Sequence, residues 1–202
     1  MPATQHVTQH ASHANPRREQ RRATRRREKI SRNAWTTGAV LLILGLLLIL
    51  TWPEPRVEIS GPARAGQPMP DFALTDLDGN SVRVSDYLGQ PILINAWATW
   101  CPPCRAEMPD LYTYYLNHQA EGFVMLAVNA GETSSPVKEF INQMGFTFPV
   151  LLDPGKAVLN QLGINSFPTS ILVHRDGIVA EIHTGMLTTA MLETKGAKLL
   201  AP

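Results

Sequence analysis

Cysteine is almost absent from this chain: among 202 residues only Cys101 and Cys104 occur. Without a second pair, the four ligands that a structural zinc site usually needs are lacking. A bridge between residues this close closes almost no loop and removes little unfolded-state entropy, so a stapling role fits poorly as well. Acids are nearly missing from residues 1–34, where only Glu19 and Glu28 stand against nine of the 18 Lys and Arg. That arm also lacks aromatic residues and an apolar face, which argues against a recognition helix for nucleic acid and against a membrane-surface helix. Charge of either sign is absent from Ala34 to Trp52. No internal repeat is found.

The formal net charge of +1 hides a division. Residues 1–34 carry about +7, and the other 168 residues about −6. The uncharged stretch that follows the arm centres on a Val40–Leu50 apolar run. As a helix its nineteen residues would extend about 28 Å, close to the ~30 Å hydrocarbon core of a bilayer. Trp35 and Trp52 bracket it as interface anchors do, and the Arg cluster flanks only its N-terminal side. The expectation is a single-pass cell-membrane helix over 34–52, with a basic, disordered arm (1–33) in the cytoplasm and the remainder outside it. Ala63-Arg64-Ala65 resembles a signal-peptide cleavage site, but it lies more than ten residues past the apolar run, with prolines between. His6, His10 and His13 have spacings a metal could use; in a polar arm with no other ligands they read as solvated side chains. Neither a metal nor any other cofactor is expected.

Residues 53–70 hold five prolines and two glycines and read as a semi-rigid linker, able to span about 55 Å if extended. From Asp71 to the end runs a stretch long enough for one hydrophobic core. Phe72–Leu74 and Val82–Val84 around Asp78-Gly79-Asn80 give a hairpin signal. Ile92–Ala98 and Phe123–Asn129 read as buried strands, and a helix is expected to about His118. Ser135–Met144 reads as a helix ended by Gly145, Phe148–Leu152 as a short strand and Gly155–Leu162 as a short helix. Thr169–His174 and Ile178–Thr184 form a hairpin around Arg175-Asp176-Gly177, and a last helix covers about Thr188 to Leu200. Strands alternating with helices, closed by a hairpin, make a mixed α/β sheet covered on both faces.

The two cysteines fall at the junction between the Ile92–Ala98 strand and the next helix, as Trp100-Cys101-Pro102-Pro103-Cys104. At a helix start, unpaired N–H groups and the macrodipole favour a thiolate on Cys101. Pro102 suits the first turn, where its missing N–H costs nothing. Cys104 follows near enough to close a short disulfide. This points to a redox-active dithiol, and the expected extracytoplasmic side is where such chemistry is common.

The order of elements and this junction resemble the thioredoxin superfamily, most closely its membrane-anchored TlpA/ResA-like branch. The likeness runs from about Gln67 to Leu200. It is carried by Pro70-Asp71-Phe72, by residues 95–109 around the cysteines, by Val128-Asn129, by Phe148–Asp153 and by Gly163–Thr169. It implies a thioredoxin-like mixed sheet with an N-terminal hairpin and a strand–helix insertion around residues 148–162. Cys101 would be the exposed nucleophile and Cys104 the resolving thiol. Pro168 matches the superfamily's cis-proline, and the Phe167 backbone would offer strand-like hydrogen bonds to a client segment. Trp100, Pro102 and Pro103 would complete the client-binding rim, with Trp97 in the core. Pro109 falls where relatives kink the helix. Where thioredoxin has a buried Asp, this chain has Asn95, which cannot shuttle a proton. Glu107, one turn beyond Cys104, matches a glutamate that is part of the active site in the ResA-like branch, so the resemblance implies a catalytic role for it; the alternative is an acid favoured by the helix dipole alone.

The resemblance implies a protein thiol–disulfide oxidoreductase acting on client proteins and reset by a membrane or soluble dithiol partner. By family analogy it works as a reductase, for example on the Cys-x-x-Cys-His haem site of an apocytochrome c. Direction depends on potential, so a disulfide-forming oxidase of the same fold stays open. A thiol peroxidase would need Thr three residues before its cysteine, where Ala98 stands before Cys101 and Cys101 before Cys104. A copper chaperone of this fold typically uses a three-residue spacing and a His, and the spacing here is two.

Overall fold

The computed structural model describes residues 41–46 and 61–200. Of the expected membrane segment only 41–46 falls inside this range, and these six residues are helical. The arm at 1–33, the rest of 34–52 and residues 53–60 lie outside the described residues. None of the described helices is long and apolar enough to cross a membrane.

Seven strands form one sheet: β1 (Ala73–Asp76), β2 (Ser81–Arg83), β3 (Ile92–Trp97), β4 (Val124–Ala130), β5 (Val150–Asp153), β6 (Thr169–Val173) and β7 (Val179–Thr184). Their order is β2-β1-β5-β4-β3-β6-β7. The β3–β4 and β4–β5 pairs are parallel, and the remaining pairs are antiparallel. Helices α1 (Pro102–His118), α2 (Ser134–Met144) and α3 (Ala157–Gln161) lie in the connections between strands, and α4 (Thr189–Leu200) follows β7. This is the thioredoxin-like arrangement, with the expected hairpin β1–β2 at one edge and the β5–α3 piece in the middle of the chain.

Both central strands are buried on both faces, which is why they read as continuous apolar runs. Alternation divides their side chains between two cores. Leu93, Trp97, Met125 and Ala127 pack with Met108 and Leu111 of α1, Val137 and Ile141 of α2, and Leu192 and Leu199 of α4. Ile92, Ile94, Ala96, Leu126 and Val128 pack on the other face with Phe72, Val84, Leu159 and Ile164.

Among the described residues that second face is covered by the five-residue α3, by Val84 and Tyr87, and by the chain before β1. Gly66 N–H donates to the Val179 carbonyl and Val179 N–H to that of Gln67, at 2.8 and 2.9 Å. Met69 N–H reaches Gly177 O, Ala63 N–H reaches Leu162 O, and Ala63 itself is buried. Residues 61–70, read from composition as the end of a linker, are therefore strapped to β7 as part of this unit. Proline and glycine enrichment marks irregular backbone, and this backbone finds its hydrogen bonds on the domain instead of in water. A second departure is small: Val84–Tyr87 forms a 3-10 turn where β2 was expected to continue.

Candidate active site

β3 ends at Trp97, and the next residues turn sharply, with Cys101 N–H donating to Ala98 O at 3.2 Å. Cys101 is the N-cap of α1, and Pro102 and Pro103 occupy the first two helical positions, whose N–H groups would lack partners. Cys101 Sγ accepts a hydrogen bond from Cys104 N–H at 3.3 Å. In the structure the two sulfurs are joined as a disulfide. The same N–H faces the sulfur that would carry the thiolate in the dithiol form, so helix geometry lowers the cost of that charge. Cys101 was expected to be exposed. It keeps only 4% of its surface, and Cys104 keeps none. Cys101 is the more accessible of the two residues, by a narrow margin.

The residues expected to line a client-binding rim lie around the cysteine turn. Trp100 is 62% exposed, and its ring meets Phe167 edge-on with centroids 6.1 Å apart. Pro102 and Pro103 are exposed beside it. The Phe167–Pro168 peptide is cis. The antiparallel pairing of Ala96 with Thr169 places Pro168 next to the end of β3, beside the cysteine turn. Trp97 is fully buried, ring to ring with Phe140 at 5.4 Å. Pro109 sits inside α1, where its missing N–H leaves the Arg105 carbonyl without the usual helical partner.

Under α1 lies a buried polar group of four. Glu107 is 1% exposed and lies in the second turn, facing the sheet. An acid placed for the helix dipole alone would sit in the first turn and in solvent, so the burial speaks against that explanation. Asn95 Nδ2 donates to Glu107 Oε1 at 2.9 Å and to Ser170 Oγ at 3.0 Å. The backbone N–H of Leu187 donates to Glu107 Oε2 at 2.7 Å. Burial pushes the Glu107 carboxyl above its usual value near 4.5, and the bonds from Leu187 and Asn95 only partly oppose this. Asn95, which cannot itself carry a proton, thus holds a group that can. The Leu187 loop is tied to the rim as well, because Gly185 N–H donates to Pro168 O at 2.9 Å. Loop contacts of this kind leave no periodic signal, and Leu187 and Ser170 were not singled out in the sequence.

Glu132 was also missed. It follows β4 and accepts from Thr99 N–H and Asn129 Nδ2, both at 2.8 Å, and from the Thr99 hydroxyl. Among the described residues no group of three or more His, Cys, Asp or Glu side chains could hold a metal ion.

A Cys-x-x-Cys disulfide capping a helix, beside a cis-proline on a thioredoxin-like sheet, defines a thiol–disulfide oxidoreductase of the thioredoxin superfamily. Comparison with known proteins agrees. The Redoxin family model matches residues 64–198. The thiol–disulfide oxidoreductase ResA of Geobacillus kaustophilus is 41% identical over 166 residues, covering 82% of this chain and 95% of that one. ResA of Halalkalibacterium halodurans is 33% identical over 159 residues, covering 79% and 90%. A crystal structure of a putative thiol:disulfide interchange protein DsbE from Chlorobium tepidum superposes with a TM-score of 0.64 at 31% identity. It covers 69% of this chain and 99% of that one. The chain belongs to the Redoxin family, as a ResA-like thiol–disulfide oxidoreductase.

Proposed function

We propose that this oxidoreductase is tethered to the cell membrane, faces the extracytoplasmic side and reduces disulfides of client proteins. The observation that carries the chemistry is the placement of Cys101 Sγ against the Cys104 N–H at the start of α1, with Glu107 buried one turn further on. The tether rests on the sequence: an uncharged nineteen-residue stretch flanked by arginines on one side only.

In the dithiol form the Cys101 thiolate attacks one sulfur of a client disulfide. The client's other sulfur leaves as a thiolate, and a mixed disulfide forms. Cys104 then loses its proton and attacks Cys101 Sγ, which releases the client's second thiolate. Two electrons have passed to the client, and the protein holds the Cys101–Cys104 disulfide. Glu107 is the acceptor for the Cys104 proton, and a raised pKa suits a group that must hold a proton and return it. Trp100, Phe167, Pro102, Pro103 and Pro168 seat the client backbone. A membrane-embedded or soluble dithiol partner resets the pair by the reverse exchange. By family resemblance the client is the Cys-x-x-Cys-His segment of an apocytochrome c, which must be reduced before haem attachment.

Two cellular experiments test this reading. After reduction, a membrane-impermeant maleimide should label Cys101 in intact cells; labelling only after lysis contradicts the orientation. Cys104→Ser should accumulate a mixed disulfide through Cys101 with apocytochrome c. Capture of other clients without it would contradict the haem-site task.

A further inference from the structure

We propose that Glu132 is a positioning residue for the attacking thiol, acting through Thr99. Thr99 lies between the end of β3 and Cys101, in the turn that sets where the sulfur points. That turn has one backbone bond of its own, Cys101 N–H to Ala98 O. Its other anchor is the Glu132 carboxylate, which takes the Thr99 N–H on Oε2 and the Thr99 hydroxyl on Oε1. A two-point grip of this kind fixes direction as well as distance, and bonds to a charged acceptor are stronger than neutral ones.

The carboxylate is held in turn. Asn129 is fully buried at the end of β4, opposite Trp97 in the parallel register, and donates its Nδ2 to Oε2 of Glu132. Gly131 between them has φ 79°, a conformation that other residues adopt at a cost, and its N–H donates to Asp153 O at 2.9 Å. The loop after β4 is thereby anchored to β5, and Glu132 reaches back to the cysteine turn from a rigid base. Glu132 touches neither sulfur. Its contribution is to keep Thr99, Trp100 and Cys101 in the arrangement where Cys101 Sγ meets the Cys104 N–H and Trp100 meets Phe167.

This rests on Cys101 being the attacking thiol, and the test separates the two claims. The reduced full-length chain is mixed with 5,5′-dithiobis(2-nitrobenzoate). Cys101 displaces one nitrothiobenzoate, and Cys104 then displaces the second, leaving the protein disulfide. Glu132→Gln keeps the size but replaces one acceptor oxygen by a donor, and the first-step rate should fall about tenfold. Thr99→Val should fall similarly, Thr99→Ser should recover most of that loss, and the Glu132→Gln/Thr99→Val pair should be no slower than either alone. The Cys101–Cys104 potential of Glu132→Gln, read in glutathione buffers, should also move from that of the unmodified chain. Equal rates and potentials, losses that add in the double variant, or a fall in melting temperature with neither rate nor potential altered would each overturn the role of Glu132. Mass mapping after brief alkylation locates the first thiol to react. If it is Cys104, the nucleophile assignment fails, and this proposal fails with it.

Discussion

The two faces of the central strands differ sharply although the strands are shared. On one, Ile92, Ile94, Ala96, Leu126 and Val128 form an apolar core, and the buried carboxyl group of Asp153, opposite Ala130, is paired with the Ala157 and Leu159 N–H groups of α3. On the other, beneath α1, alternation brings Asn95 and Asn129 inward among Leu93, Trp97 and Met125, and Glu107 and Ser170 join them. Buried polar groups cost free energy unless paired. Among the described residues, Asn95 Oδ1, Asn129 Oδ1 and Trp97 Nε1 meet no protein hydrogen-bond partner. The first face is therefore mainly apolar packing, whereas the second carries a set of buried polar side chains, Glu107 among them, whose desolvation costs stability.

Substitutions on the two faces should separate these roles. The largest effect belongs to the sulfur itself. Cys101→Ser should abolish disulfide exchange with a peptide substrate while the fold persists, as circular dichroism would show; retained turnover would transfer the nucleophile's role to Cys104. Next comes the apolar face. Ile94 is fully buried, and Ile94→Ala should cost about 2–5 kcal/mol in urea unfolding. Turnover per folded molecule should stay nearly the same, because the Ile94 side chain points away from the face that carries Asn95.

Glu107→Gln gives a smaller change with a definite sign. The Glu107 pKa is raised in the folded protein, so the folded state holds its proton more tightly than the unfolded chain. Stability from this group is then full below the unfolded value near 4.5 and falls as pH rises through the raised folded value. Measured across that window, Glu107→Gln should gain stability relative to the unmodified chain as pH rises. Parallel melting curves would mean that the carboxyl is not strained by burial. Turnover of the variant should slow, and its alkylation curve against pH should change shape as a whole. The smallest effect on folding is expected at the rim: Trp100→Ala should shift stability by less than about 0.5 kcal/mol. It should weaken client binding by about 1 kcal/mol, seen as a raised KM with kcat nearly kept.

What the sequence revealed follows the same division. The continuous apolar runs of β3 and β4, the helix start at Cys101 and the glycine stop of α2 at Gly145 all depend on neighbours within a few residues, and they were legible. The Cys101–Cys104 pair and Glu107 were legible for the same reason, because helical spacing places them on one turn after another. The Glu132–Thr99 grip joins residues 33 apart, and the Leu187–Glu107 bond joins residues 80 apart. Neither leaves a periodic trace. The strap at 61–70 was misjudged because its bonds go to Leu162, Gly177 and Val179, roughly a hundred residues later, and composition alone resembles a linker.

The Cys101–Cys104 reduction potential tests the central claim most directly. Equilibrating the full-length chain in glutathione buffers and counting the free thiols gives it without reference to any client. A reductase with this site should fall near thioredoxin, about −270 mV, or somewhat above it. A value near about −120 mV, where strongly oxidising relatives of this fold lie, would contradict the account and make the protein a donor of disulfides.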